Sequence, residues 1–152
     1  MDETLLLIAN VMAQRGTCSR ARVGVIFARD GRALVSGYNG SPHGMPHCLH
    51  PPQERSELSD PSEPSCEWAV HAEANAIAFA ARYGVALDGS ALYATHTPCV
   101  RCAQLIINAG VTQVIASTMY RVRDGVNLLQ NAGVIVLFWD TTLNAAVTVP
   151  TQ

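Results

Sequence analysis

Four residues could assemble a metal site that activates water: His71, with Glu73 two positions on, and Cys99 and Cys102, separated by Val100-Arg101 and preceded by Pro98. Two cysteines three apart on one helical turn point toward the same side and can share an ion. An imidazole would bring the protein ligands to three, leaving the fourth tetrahedral position of a zinc ion open to water. Two thiolates, a neutral imidazole and Zn²⁺ sum to zero charge, a balance that lowers the pKa of a bound water toward neutrality. Glu73 separates catalysis from metal storage, because a hydrolytic reaction needs a carboxylate beside that water to move protons. Taken singly the residues have plainer readings. Glu73 could simply be an acid complementing a helix N-terminus, and the two cysteines a redox pair or half of a structural zinc site.

Positioning such a site requires both segments to sit at helix starts, where free amides and the helix dipole favour thiolates, and the pattern along the chain predicts this. Ala69 to Tyr83 is Ala-rich and closed by Gly84, a helix with a glycine C-cap. Pro98 opens a second helix running to about Asn108. Before them, residues 3 to 14 form a helix with Leu5, Ile8, Val11 and Met12 on one face, ended by Gly16. Arg22 to Arg29 and Ala33 to Tyr38 flank Asp30-Gly31 as a hairpin. Further strands are expected over Ala91 to His96, Val111 to Ser117 and Val134 to Trp139, with a short helix over Gly125 to Asn131. The prediction is an α/β fold: a mixed five-stranded sheet between helices, α/β/α, in a single domain over residues 1–152. Residues 40–65, with six of the eight prolines and three histidines, read as a long loop.

Composition narrows the function. With ten basic residues, all arginine, against twelve acidic ones, the net charge is −2 and no basic surface suits nucleic acid. The N-terminus is acidic where a signal peptide is basic, and no apolar run reaches membrane-spanning length, so a cytoplasmic protein without a membrane partner is expected. Five cysteines are an odd number, and in a reducing compartment favour metal ligation over disulfides.

The pairing of His71-Ala72-Glu73 with Pro98-Cys99-Val100-Arg101-Cys102 resembles the H-x-E…P-C-x-x-C signature of zinc deaminases. The chain further resembles the deoxycytidylate (dCMP) deaminase family of the cytidine deaminase-like superfamily from about Cys18 to Val136. The similar segments are CSRARVGVI (18–26), GYNGSPHGMPHC (37–48), HAEANAI (71–77), LYATHTPCVRCAQLIINAG (92–110), Tyr120 and AGVIV (132–136). GYNGxPxG and HAExNAI point to the dCMP branch; HAE and PCxxC are common to the superfamily. The resemblance implies zinc on His71, Cys99 and Cys102, Glu73 as proton shuttle, and hydrolysis of dCMP to dUMP and ammonia for pyrimidine deoxynucleotide synthesis. The alternatives are another cytidine- or cytosine-type deaminase, acting on deoxycytidine, dCTP or a modified dCMP, and a zinc-binding module without turnover.

The same resemblance places Asn39 against the substrate sugar, Tyr120 over the pocket and Ala72 along the substrate. Gly24, in a strand, fits a close backbone approach to a ligand, and His96 is either a pocket residue or a hydrogen-bonded structural histidine. Arg22, where the family usually has Lys or Arg, is expected to hold the 5′ phosphate with help from Arg20, an exposed edge charge being the plain alternative. Cys18, Cys48 and Cys66, left over from the catalytic set, are expected to hold a second, structural zinc with His50 or His47 as fourth ligand; reduced free thiols are the alternative. Family likeness also implies a homo-oligomer, a hexamer in many members, regulated by dCTP and dTTP, with Mg²⁺ accompanying the nucleotide. Phe79, Arg82 and the Gly37 to Gly44 loop match the effector region, a cation at a helix C-terminus being the plain alternative for Arg82.

Overall fold

The computed structural model describes residues 2–48 and 66–150. Ten elements follow in order: α1 (Asp2–Ala13), β1 (Gly24–Arg29), β2 (Arg32–Tyr38), α2 (Ala72–Tyr83), β3 (Ala91–His96), α3 (Val100–Asn108), β4 (Gln113–Thr118), α4 (Asp124–Asn131), β5 (Ile135–Asp140) and β6 (Ala145–Thr148). The strands make one sheet in the order β2-β1-β3-β4-β5-β6. β3, β4 and β5 run parallel, whereas β2, β1 and β6 join through antiparallel pairs. This is the expected mixed sheet, with six strands rather than five. Asp140 Oδ1 accepts the amides of Thr142 and Leu143, and Asn144 adopts φ 48°; that turn returns the chain as β6.

Side chains alternate across the sheet as strand geometry requires. Val25, Phe27, Leu92, Ala94 and Val114 pack with α2, α3 and α4 on one face. Ile26, Ala28, Tyr93 and Ile115 meet α1 on the other. The two crossovers β3-α3-β4 and β4-α4-β5 connect parallel neighbours, and their shared handedness puts both helices on the same side.

Helix α1 presents only part of the face expected of it, with Leu5 buried and Met12 packed against the same cluster. Leu5, Leu6, Ala9 and Ala13 are buried, whereas Ile8 and Val11 are exposed. Its small residues face the sheet because the helix crosses β1 at Gly24, where a Cβ would lie 2.1 Å from the Ala9 carbonyl oxygen and 2.4 Å from the Ala13 amide nitrogen. The close approach read from Gly24 is therefore to α1 rather than to a ligand. Neither neighbour is a flexible side-chain end, so Gly24→Ala should destabilise the fold by about 3 kcal/mol or more, measured as a lower chemical-denaturation midpoint with an unchanged slope.

Candidate metal centre

β1 runs antiparallel to β3, pairing Val25 with Ala94, and β4 runs parallel to it, pairing His96 with Thr118. The start of β1 and the ends of β3 and β4 thus lie along one rim of the sheet. The predicted ligands gather there. His71 is the N-cap of α2 and Cys99 the N-cap of α3, both extended (ψ 152° and 170°) and neither making a side-chain capping hydrogen bond. Cys102 lies in the first turn of α3. Gly40 and Val70 exchange backbone hydrogen bonds, and Asn75 Nδ2 donates to the Tyr38 carbonyl, fixing the start of α2 against the end of β2. Gly125 of α4 sits where a Cβ would be 2.1 Å from the Pro98 carbonyl oxygen, so α4 supports the turn carrying Cys99.

His71 Nδ1 lies 3.5 Å from both the Cys99 and Cys102 sulfurs. A tetrahedral zinc ion with bonds of about 2.3 Å to sulfur and about 2.0–2.1 Å to nitrogen sets these edges at about 3.6 Å. Among the described residues, these three side chains form one of two clusters compact enough to hold a metal ion. Their protonation also fits a cation. Hydrogen bonding from Cys102, with further help from His71, holds the Cys99 thiol down to about 4. Cys102 is pushed up, first by its hydrogen bond to Cys99 and then by burial, because a second thiolate beside the first and beside Glu73 has no counter-charge. A divalent cation supplies that charge. The Cys99 thiolate also raises the His71 pKa, against the effect of burial.

Glu73 is 4% exposed and lines the same cavity as His71 and Cys99. Burial raises its pKa, partly offset by a hydrogen bond from its own backbone amide. Asn39 also lines the cavity, and its amide is engaged with backbone: Oδ1 accepts Val23 N–H at 2.8 Å, and Nδ2 donates to the Ala21 carbonyl at 2.8 Å. It thereby shapes the wall formed by residues 21–23. Ala72, His96 and Tyr120 complete much of the lining, with His96 Nδ1 also 3.1 Å from Thr95 Oγ1.

Arg22 is not brought to the cavity. It is exposed and outside the lining, whereas its neighbours Ala21 and Val23 line the pocket. Arg20 and Arg121 line the cavity instead. Arg121 and Thr97 were missed by sequence reasoning. The signal was their adjacency to Tyr120 and Pro98, which alone does not reveal that Thr97 Oγ1 accepts the Tyr120 amide at 2.7 Å.

The second cluster is formed by Cys18, Cys48 and Cys66, whose sulfurs all lie within 4.8 Å of one another. Burial, followed by its hydrogen bonds with Cys18 and Cys66, pushes the Cys48 thiol up to about 11. His47 is exposed and outside the cluster, while His50 lies outside the described residues. Phe79 and Arg82 are on the exposed side of α2, away from the cavity lining. The Phe79 ring centroid is 4.4 Å from that of Tyr83, and the Arg82 guanidinium carbon is 5.7 Å from the centre of the Tyr83 ring. No helix of the described residues is long and apolar enough to cross a membrane.

Residues 1–118 match the family model of the cytidine and deoxycytidylate deaminase zinc-binding region. The chain is 37% identical over 129 residues to ComE operon protein 2 of Bacillus subtilis, covering 84% of this chain and 65% of that relative, just under two thirds of its length. It is 40% identical over 119 residues to the deoxycytidylate deaminase of Mycobacterium phage D29, covering 75% of this chain and 91% of the phage protein. The crystal structure of dCMP deaminase from cyanophage S-TIM5 in complex with dCMP and dUMP superposes with a TM-score of 0.76 at 33% identity, covering 90% and 94% of the two chains. With the fold, the donor set and the matched segment in agreement, the chain belongs to the cytidine and deoxycytidylate deaminase family, whose shared feature is a zinc-binding region.

Proposed function

We propose that this chain is a zinc-dependent hydrolase converting dCMP and water to dUMP and ammonia, working as a single deaminase domain over residues 1–152. His71, Cys99 and Cys102 hold the metal. The observation carrying this reading is the burial of Glu73 in one cavity with His71 and Cys99, and its hydrogen bond with Cys102, since a closed structural site has no use for that carboxylate. The relatives named deoxycytidylate deaminase, and the neighbour bound to dCMP and dUMP, favour the nucleotide over other cytosine compounds.

A zinc ion held by His71, Cys99 and Cys102 would supply the Lewis acidity that makes water a nucleophile for C4 of the cytosine ring. Glu73 takes one proton from the attacking water and delivers it to ring N3, then carries the remaining proton of the new C4 hydroxyl to the amine, so that the C4–N bond breaks, ammonia leaves and the oxygen stays on C4 as a carbonyl. A pKa raised by burial suits a group that must take and return protons near neutrality. Asn39 presents the sugar wall, Ala72 lies along the substrate and Tyr120 covers it. Deamination of dCMP, deoxycytidine, cytidine, cytosine and dCTP, followed by ultraviolet absorbance, tests the assignment. Preferential turnover of dCMP is expected, and preference for any other member would replace dCMP as the substrate.

Cys18, Cys48 and Cys66 hold a second, structural zinc that ties the start of the 40–65 segment to the turn before β1 and to the approach to His71. Three clustered sulfurs support this, and the fourth ligand would come from that segment, His50 being the nearest candidate. Metal analysis of purified protein should give two zinc ions per chain, and a count of one would remove the second site. The exposed Phe79, Tyr83 and Arg82 group is the proposed binding place of a dCTP or dTTP effector with Mg²⁺, in a homo-oligomer of up to six chains.

A further inference from the structure

We propose that Thr97 is a positioning residue for the reaction: it sets where Tyr120 stands over the substrate by clamping three successive residues at the end of β4. This inference rests on the dCMP reading above and on the place given there to Tyr120, and it names the contact that fixes that place. The parallel ladder of β3 and β4 ends with His96 beside Thr118. Beyond that pair the two chains lead to different helices, one through Pro98 and Cys99 into α3, the other toward α4. Thr97 bridges them. Its amide donates to the Thr118 carbonyl at 2.9 Å, its hydroxyl donates to Met119 Sδ at 3.6 Å, and the hydroxyl oxygen accepts the Tyr120 amide at 2.7 Å.

A hydroxyl suits this task because it donates and accepts at once. Thr97 is 2% exposed, so water competes little for the bond, and a separation of 2.7 Å lies at the short end of the range for N–H···O. Its β-branch restricts χ1, which makes the clamp stiff. Thr97 and Tyr120 both line the cavity that contains His71, Glu73 and Cys99, and Thr97 stands two residues before Cys99. One buried side chain therefore fixes the spacing between the metal-bearing turn and the residue that covers it. Met119 adds weight to the hold by packing against the core. Valine has nearly the shape of threonine but no lone pair. Its methyl cannot come as close to the Tyr120 amide, so the residues after β4 must move away from the turn.

The test is a double-mutant cycle on dCMP deamination with zinc-loaded wild type, Thr97→Val, Tyr120→Ala and their combination, zinc content and thermal melting being measured for each. Thr97→Val should raise KM for dCMP about three- to tenfold, the effect of one hydrogen bond. Its kcat should change by less than about twofold, since a cover over the substrate serves binding rather than proton transfer, and its zinc content should match wild type. Thr97→Ser keeps the hydroxyl and should restore KM. In the Tyr120→Ala background, Thr97→Val should add little to KM, because the side chain it places is gone. It should still lower the melting temperature there, because the amide of residue 120 remains and is left unpaired. If Thr97→Val does not fold, Thr97→Ala, which leaves room for a water at that amide, completes the same cycle. An unchanged KM in the Thr97 variant, a loss that follows zinc content, KM effects that add in full, or no rescue by Thr97→Ser would overturn the proposal. An unchanged KM in Tyr120→Ala would instead remove Tyr120 from the substrate, and a wild type without dCMP turnover would remove the dCMP reading, each taking the proposal with it.

Discussion

Glu73→Gln is expected to bind zinc at wild-type stoichiometry and to lose dCMP turnover by at least about 10²- to 10⁴-fold, the usual contribution of a positioned acid–base group. The amide has nearly the shape of the carboxylate, so the first turn of α2 and the cavity should survive the change. His71, Cys99 and Cys102 are untouched. What the amide lacks is the capacity to accept a proton and give it back, which hydrolysis requires between the attacking water, ring N3 and the leaving amine. The loss should fall on kcat, and dUMP should still inhibit. Metal analysis beside single-turnover kinetics checks both halves. Activity within a few-fold of wild type would assign proton transfer to another group.

Cys99→Ala should lose the metal together with the activity. Removing one of three ligands leaves an imidazole and one thiol, too few to hold zinc against solvent. The Lewis-acid contribution is several kcal/mol, so kcat/KM should fall by about a thousandfold or more. Chelation of the wild type should reproduce the loss and added zinc should reverse it. Added zinc should not restore the variant. A metal-free variant that still turned over dCMP would contradict the ligand assignment.

The centre was legible in the sequence because it depends on local facts: ligand spacing within one turn, and helix starts marked by composition. His71 and Cys99 fall at the N-caps of α2 and α3 as that reading requires. Features that depend on distant partners were not legible. Leu5 to Ile8 is an unbroken apolar run, so periodicity selects no single face for α1. The choice is made by Gly24, which lets Ala9 and Ala13 come close and leaves the larger Ile8 and Val11 outside. Ala145 to Thr148 is too short to announce itself and becomes a strand by pairing with β5. Arg22 was favoured over Arg20 because it opens the strand leading to Gly24 and matches a family position that usually carries Lys or Arg, yet which of the two side chains faces a cavity depends on how residues 17–23 are folded, and Asn39 braces that segment from sixteen residues beyond Val23. Arg121 reaches the cavity only because β4 is placed beside β3.

The absence of side-chain caps at α2 and α3 has a bearing on local opening. Ser, Thr, Asp or Asn at these positions would secure the first amides of each helix, at about 1 kcal/mol apiece. The chain places an imidazole and a thiol there instead, side chains directed at each other across 3.5 Å. With an ion between them, the two helix ends become one crosslinked unit. Without it, they are the turns of these helices from which fraying starts most readily. Occupancy of the site thus governs two things together: the chemistry at its centre, and the solvent protection of the backbone amides in the first turns of α2 and α3.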